Sequence, residues 1–320
     1  MSSDHFMRSF GVFLKKSNQH YENARTLQNY LPQIVKKAVS SIIIEQRPQF
    51  NILGVGSGTG ETDIEIVNIV QRELIKKQEW KHIRILNRAV EPDEPSTQGY
   101  KEKIAKVGHA TSPNYEIRQQ TFQEYQKSNE DRMTFDIVHF IHSLYYVDLE
   151  QTVMYCVENL LAENGYLVCL IGNSDSIPCK LLSIMRQRNR DDAMTNLTES
   201  ISIELSEELV KIVGKHGLKH EFYRAGTFLD VSEVFNEESE EGSLLLDFLT
   251  NTENYRKMVS QHDLEETLAI IEGMTFVKDG KRLGDIKESL LFIYKTHQRR
   301  PYQTVAKEQR ACVLINLGNS

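Results

Sequence analysis

Residues 51–61 of this chain read NILGVGSGTGE, and they carry the strongest structural signal in the sequence. An apolar run leads into four glycines at alternate positions, and an acidic residue then opens a helical pattern. Strand, glycine-rich turn and helix, in this order, form the part of a doubly wound α/β sheet that receives a nucleotide-like cofactor. Glycine permits positive φ and, because it has no Cβ, lets the backbone approach a ligand closely. The four glycines are Gly54, Gly56, Gly58 and Gly60.

A second acidic residue, Glu91, closes another apolar run at Val90-Glu91-Pro92. A carboxylate at the tip of the second strand can accept hydrogen bonds from both hydroxyls of a ribose. Each such charged hydrogen bond contributes roughly 1.5–3 kcal/mol. On its own the glycine loop is compatible with a simple tight turn, but together with Glu91 it predicts a nucleoside site.

The spacing of the glycines distinguishes between cofactors. A dinucleotide fingerprint reads G-x-G-x-x-G and places pyrophosphate at the N-terminus of the helix. This loop reads G-x-G-x-G and presents Glu61 where a phosphate would lie. A carboxylate repels phosphate but suits a phosphate-free sulfonium, so we expect S-adenosyl-L-methionine in preference to NAD. A dehydrogenase is the weakest alternative, because no hydride-transfer constellation accompanies the loop.

Strand and helix patterns alternate after two N-terminal helices, which predicts a parallel sheet with both faces covered. The run YLVCLI at 166–171 is continuous, as in a strand that is buried on both faces. The predicted strands are residues 51–55, 82–90, 115–119, 134–140, 166–171, 218–223 and 289–294.

Composition excludes several classes of protein. The 320 residues are 40% hydrophobic and 26% charged, with a net charge of −7, which is ordinary for a soluble protein and gives no basic surface for nucleic acid. The four cysteines show no C-x-x-C spacing, so we expect reduced thiols and no metal site. No signal peptide and no membrane span is evident, and we expect a cytoplasmic location.

Two further strings identify a family. LYYV at 144–147 and DFLT at 247–250, in this order after the glycine loop, make the chain resemble the histamine N-methyltransferase family over about residues 6 to 295. The resemblance implies a class I, Rossmann-like methyltransferase with a seven-stranded sheet and a small helical cap or substrate subdomain. It divides the chain into an N-terminal helical cap (1–45), a cofactor-binding core (46–173), substrate insertions with the remaining strands (174–297) and a tail of unknown role (298–320).

The resemblance also assigns the cofactor contacts. Gly56, Glu91 and Ile141 match the family, whereas Ser96 replaces a glutamine and Phe122 a serine. The last two touch the adenine side, where an aromatic face can stack instead of a hydroxyl donating. We expect them, together with Gly58 of the loop, to bind the same cofactor.

The substrate side departs further from the family. Gln19 replaces a glutamate, Glu288 an asparagine and His142 a glutamine. Tyr145, Tyr146 and Phe248 of the pocket remain. Other aromatic residues that wall the family's pocket are replaced here by Pro178, Leu182, Ile203 and Leu246.

The carboxylate and the amide have in effect exchanged positions. We expect Glu288 to supply the charge that an ammonium group requires, and His142 to accept a hydrogen bond or a proton from the substrate. The alternatives are structural: Gln19 as a helix cap, His142 as a supporting histidine and Glu288 as a solvated residue. The function expected is N-methylation of histamine or a similar small amine by a monomer. A carnosine-type imidazole dipeptide is an alternative substrate, and a non-catalytic binding protein is an alternative class.

Overall fold

The computed structural model describes residues 1–107, 113–128, 132–188 and 205–295. Within them, eight strands form one mixed sheet. The strands are β1 (Gln49–Val55), β2 (Arg84–Val90), β3 (Asn114–Arg118), β4 (Phe135–Ile141), β5 (Leu161–Gly172), β6 (Lys219–Asp230), β7 (Thr275–Lys278) and β8 (Lys281–Tyr294).

The strand order is β3-β2-β1-β4-β5-β8-β6, and β7 pairs with β8 outside this path. The first five strands are parallel, and β8 is antiparallel to both β5 and β6. The order reverses between β1 and β4, and ligands of such sheets bind in the crevice outside the carboxyl ends of the strands at this point. The doubly wound fold expected from the sequence is confirmed, with β7 added to the seven strands.

Helices cover both faces of the sheet. One face packs against α2 and α3, and the other against α5, α6 and α8. The helices are α1 (Ser3–Ser17), α2 (Gln19–Glu45), α3 (Glu61–Leu74), α4 (Glu94–Val107), α5 (Phe122–Ser128), α6 (Leu149–Tyr155), α7 (Ile177–Arg188), α8 (Leu205–Lys215), α9 (Glu240–Thr250), α10 (Tyr255–Met258) and α11 (Gln261–Gly273).

A third apolar cluster lies beside the sheet and joins α1 to α7, α9, α10 and α11. Its centre is formed by fully buried side chains such as Leu181, Leu245 and Leu246. Of the two N-terminal helices, α1 packs in this cluster, while α2 buries Leu27 and Ile34 against the sheet. The division of the chain at residues 45, 173 and 297 stays a prediction.

The last strands are longer than their apolar runs indicated. β6 pairs with β8 from Lys219–Tyr294 to Asp230–Leu283, although β6 is largely exposed or half-buried. An edge strand with one solvated face carries polar residues, so its pattern gives a weak signal. The expected tail at 298–320 and the pocket position Ile203 lie outside the described residues.

Candidate cofactor and substrate site

The glycine loop joins the end of β1 to the start of α3. The backbone N–H of Gly56 donates to the carbonyl of Val90 at 2.8 Å and ties the loop to β2. Gly56 has a φ of +67°, and a Cβ there would lie 2.4 Å from the Cβ of Ser143. Gly60 has a φ of +82°, and a Cβ there would lie 2.2 Å from the ring of Tyr100. Both positions therefore require glycine because of the protein's own packing.

Gly58 differs from its neighbours in the loop. Its φ is +53°, and no atom lies within 4 Å of the place where a Cβ would project. Its N–H donates to Oε2 of Glu91 at 2.8 Å, and the N–H of Asp93 donates to Oε1 at 3.0 Å. Glu91 is only 7% exposed. Open space beside a buried carboxylate is what the predicted nucleoside site requires, and the roles of Glu91 at the ribose and of Gly58 beside it stay predictions.

Glu61 lies at the N-terminus of α3. The preference for S-adenosyl-L-methionine over NAD depended on a carboxylate at this position. Burial opposes its ionisation, but hydrogen bonds from Lys103 and Thr59 hold the pKa of Glu61 below its usual value. The helix N-terminus therefore already has a charged carboxylate of its own, paired with the ammonium of Lys103. This arrangement leaves no bare helix terminus for a pyrophosphate.

A cluster of buried polar side chains contacts the glycine loop through Ser57. The sequence analysis did not predict this cluster. Ser57 Oγ, Asn87 Nδ2 and Tyr100 Oη donate to Oδ2 of Asp63 at 2.9, 3.1 and 3.1 Å. His139 Nε2 lies 3.3 Å from Oδ1, and burial lowers the pKa of His139. The only signal in the sequence was the acidic Asp63 in the first turn of α3. Its side chain is fully buried, so it anchors the loop through Ser57.

The other expected cofactor contacts lie at the same edge of the sheet. Ser96 is in the first turn of α4, which follows β2, and is 8% exposed. Phe122 begins α5 after β3, and its ring lies edge-on to Phe140 with centroids 5.4 Å apart. Ile141 ends β4. Their roles as cofactor contacts stay predictions.

The three departures from the family form one contact group. Gln19 Nε2 donates to Oε1 of Glu288 at 2.5 Å, and His142 Nε2 lies 3.2 Å from the same oxygen. Asn23 Nδ2 lies 3.2 Å from His142 Nε2. Glu288 is 1% exposed and pairs with Gly172 across the β5–β8 ladder. The amide and the carboxylate that the resemblance places at exchanged positions are therefore in direct contact.

These contacts decide two of the structural alternatives. The N-cap of α2 is Asn18, and the side-chain amide of Gln19 donates a hydrogen bond to Glu288. The interpretation of Gln19 as a helix cap is therefore wrong. The interpretation of Glu288 as a solvated residue is also wrong, because the side chain is buried. Asn23 was missed by sequence reasoning; the available signal was its position one helical turn after Gln19, which places both on one face.

The aromatic residues expected in the pocket occupy different surroundings. His142 and Tyr145 have nearly parallel rings, 9° apart with centroids at 6.4 Å. Tyr145 Oη accepts from the N–H of Gly172 at 2.6 Å, and burial raises the pKa of Tyr145, so its hydroxyl stays protonated. Tyr146 is 68% exposed. Phe248 of α9 packs against α1, with its ring centroid 4.5 Å from that of Phe13.

The part of the chain that the structure describes shows neither a metal site nor a membrane-spanning helix. No group of three histidine, cysteine or acidic side chains there could hold a metal ion. Cys156, Cys169 and Cys179 form no disulfide. No helix among the described residues is long and apolar enough to cross a membrane.

The sheet order, the glycine loop and the carboxylate beside it define a class I, Rossmann-like methyltransferase. Histamine N-methyltransferase from Rattus norvegicus is 31% identical over 301 residues, which cover 91% of this chain and 96% of the relative. Histamine N-methyltransferase A from Xenopus laevis is 28% identical over 298 residues, with the same coverage. The chain belongs to the histamine N-methyltransferase family. Its cofactor is S-adenosyl-L-methionine, so the prediction of that cofactor is confirmed.

No family model matches the chain. Among solved structures, the YcgJ protein of Bacillus subtilis has a TM-score of 0.47 at 11% identity and covers 80% of this chain and 98% of its own. A methyltransferase from Archaeoglobus fulgidus has a TM-score of 0.42 at 15% identity, covering 86% and 94%.

Glu91→Ala is expected to raise the Kd for S-adenosylhomocysteine at least about tenfold, because two charged hydrogen bonds to a ribose are lost. Isothermal titration calorimetry of the folded variant measures this. The matched control is Glu265→Ala, which removes an exposed glutamate of α11 that bonds Gln261, and which should leave the Kd unchanged. An unchanged affinity in Glu91→Ala would refute the assignment of Glu91 to the ribose.

Proposed function

We propose that the protein is an S-adenosyl-L-methionine-dependent N-methyltransferase of a small cationic amine, with histamine or a histamine-like amine as the first candidate. The observation that carries this proposal is the buried carboxylate of Glu288, held by Gln19 and His142. A cationic amine that leaves water for a partly closed site requires a counter-charge. The cofactor supplies a methyl group that is already activated by its sulfonium.

The chain's own residues then bind and orient the amine. Glu288 attracts the ammonium, and the Tyr145 ring, fixed by its bond to Gly172, forms an apolar wall beside His142. An imidazole with an ordinary pKa of about 6.5 is mostly neutral at pH 7, so a ring nitrogen needs little base catalysis. Holding that nitrogen in line with the methyl group supplies most of the acceleration.

A carnosine-type imidazole dipeptide is the second candidate substrate. Pro178 and Leu182 on α7 and the buried Leu246 on α9 stand where the family has aromatic residues. Each lost aromatic contact removes about 0.5–1.5 kcal/mol beyond the area it buries. Weaker stacking on a flat imidazole favours a longer substrate with more contacts.

We further propose that the enzyme acts as a monomer in the cytoplasm.

The test is a methylation screen over biogenic amines and histidine derivatives, with products identified by mass spectrometry. A parallel thermal-shift series compares S-adenosylhomocysteine with NAD. Ligand at 100 times its Kd stabilises the folded state by about 2.7 kcal/mol. We expect S-adenosylhomocysteine to stabilise the protein and NAD not to. Binding of the cofactor product without methylation of any amine would favour the non-catalytic alternative.

Restoring the family's residues should restore the family's preference. The double change Gln19→Glu with Glu288→Asn keeps one carboxylate in the contact pair but moves it to the other side. We expect the kcat/KM ratio of histamine over the best other amine to rise about tenfold, equivalent to about 1.4 kcal/mol. Glu288→Asn alone is the control, because it leaves two amides and no charge. A ratio that does not move would show that the position of the carboxylate does not select the substrate.

A further inference from the structure

We propose that His142 accepts a proton from the substrate nitrogen that is methylated, with Glu288 as its orienting partner. The site would then methylate aliphatic amines that arrive as ammonium ions, and not only imidazole nitrogens. This proposal rests on the proposed N-methyltransferase function. It deepens that function by naming the class of the acceptor nitrogen.

The two nitrogens of the His142 ring have different surroundings. Nε2 lies 3.2 Å from Oε1 of Glu288 and 3.2 Å from the amide of Asn23. No hydrogen bond to Nδ1 is found among the described residues, and the side chain is 25% exposed. A buried carboxylate accepts hydrogen bonds, so Nε2 carries the proton and Nδ1 presents a lone pair to the substrate.

The amide of Asn23 can serve this tautomer as well, once its oxygen and nitrogen are exchanged. Its Oδ1 is buried and has no hydrogen-bond partner. Amide oxygen and nitrogen are assigned from their hydrogen bonds, and turning the Asn23 amide over brings Oδ1 to Nε2 of His142. The Nε2 proton then lies between two acceptors, Oδ1 of Asn23 and Oε1 of Glu288. This orientation gives Oδ1 a donor when Nε2 is the protonated nitrogen, and it places Nδ2 in the buried position that Oδ1 occupied.

The backbone holds His142 in place for this role. Its φ of +55° is in the left-handed region, which costs an L-residue roughly 1–2 kcal/mol. The hydrogen bond from its N–H to the carbonyl of Leu170 at 2.9 Å maintains that conformation. Strained backbone of this kind is concentrated at functional sites. His142 directly follows the carboxyl end of β4, beside the point where the strand order reverses.

The proton transfer removes the main obstacle to methylating an aliphatic amine. An amine with a pKa near 10.4 is free base in only roughly one molecule in 10³ at pH 7. One N–H bond of the ammonium breaks and the proton binds Nδ1 of His142, which leaves a lone pair on the substrate nitrogen. That pair forms the bond to the methyl carbon while the sulfur keeps the electrons of its broken bond. His142 then returns its proton to solvent, and the product is a secondary ammonium.

Two titratable groups face His142, from different elements. Glu288 on β8 stabilises the imidazolium once it forms. Tyr145 after β4 stays neutral, because burial raises the pKa of its hydroxyl. Lys287, the neighbour of Glu288 in the strand, is paired with Asp175 at 2.7 Å on the surface. A glutamine at position 142, as in the family, can orient a substrate but cannot accept a proton.

The kinetic test compares the wild type with His142→Gln on two probes. 2-Phenylethylamine offers only an aliphatic nitrogen, and 4-methylimidazole offers only ring nitrogens. At pH 7 we expect His142→Gln to lower kcat/KM for 2-phenylethylamine about 100-fold and that for 4-methylimidazole less than about threefold. The deficit should shrink as the pH approaches 10, because free amine then no longer needs a proton acceptor. Equal losses on both probes, or a loss that is independent of pH, would overturn the proposal.

A matched control and a test without turnover complete the design. His216→Gln removes another histidine that is paired with a carboxylate, 2.6 Å from Glu150, and should change neither probe. Nitrogen-15 correlation spectra of the complex with S-adenosylhomocysteine report the tautomer of His142. We expect Nε2–H in the wild type. An Nδ1–H tautomer would overturn the proposal.

The outcomes separate this proposal from the proposed function. If the wild type methylates 4-methylimidazole but not 2-phenylethylamine, the N-methyltransferase function stands and the proton-accepting role of His142 is refuted. If no amine or imidazole is methylated although S-adenosylhomocysteine binds, both are refuted.

Discussion

Gly58→Val is expected to abolish binding of S-adenosyl-L-methionine and S-adenosylhomocysteine while the chain remains folded. No protein atom lies within 4 Å of the position of the new Cβ, so the side chain enters open space beside Glu91. That space is where the nucleoside must lie if Glu91 holds the ribose. The left-handed φ of +53° adds strain of about 1–2 kcal/mol, which a domain with about 5–15 kcal/mol of stability tolerates.

The matched control for this change is Gly280→Val. Gly280 has a φ of +74°, lies between β7 and β8, and also has no atom within 4 Å of its Cβ position. The two variants therefore share the same backbone strain and the same lack of steric conflict. Calorimetry measures the affinity for S-adenosylhomocysteine, and circular dichroism monitors folding. If Gly58→Val binds S-adenosylhomocysteine as tightly as Gly280→Val does, the glycine loop is only a tight turn and does not bind the cofactor.

Much of the fold was predictable because its central strands are buried on both faces. β1, β2, β4 and β5 are mainly apolar and are buried along most of their length, and the glycine loop fixes the direction of the chain between β1 and α3. β6 was predicted only in part, and the extension of β8 not at all. β6 is the solvated edge strand, and the extension of β8 is mixed in polarity and is defined by its pairing with β6 and β7.

The residues of the candidate site also differ in how far they could be predicted. Some belong to a local sequence pattern, whereas others are recognised only from contacts between distant parts of the chain. Glu91 could be predicted because a strand tip beside a glycine loop is a local pattern. The bond between Gln19 and Glu288 joins residues 269 positions apart, and only the folded chain shows that they touch. Asp63 had a local signal, but its burial depends on Asn87 and Tyr100 from other elements. The helical spacing of Asn23 after Gln19 places both residues on one face of α2, but only the folded chain shows that Asn23 contacts His142.

Glu288→Gln is expected to raise KM for cationic amines by the equivalent of about 2–5 kcal/mol, or roughly 30- to 5000-fold. The change is isosteric, and the amide oxygen of the new side chain can still accept from Gln19, so the local packing is preserved. What disappears is the negative charge that a desolvated ammonium requires. Gln19, at 2.5 Å, cannot replace it, because an amide carries no charge at any physiological pH.

Steady-state kinetics on two substrates distinguish the effect of the Glu288 charge from the effect of its side-chain shape. The substrates are histamine and 4-methylimidazole, which lacks the ammonium tail. Histamine should lose affinity, whereas 4-methylimidazole, measured at a pH well above the pKa of its ring so that it is neutral, should be nearly indifferent. Glu272→Gln, which neutralises an exposed glutamate paired with Arg282 on the surface, is the control and should affect neither. Surface pairs of that kind contribute little because water screens them, whereas Glu288 is 1% exposed. Equal kinetics for Glu288→Gln and the wild type on histamine would show that the counter-charge lies elsewhere, and that binding at this site does not depend on a cationic substrate.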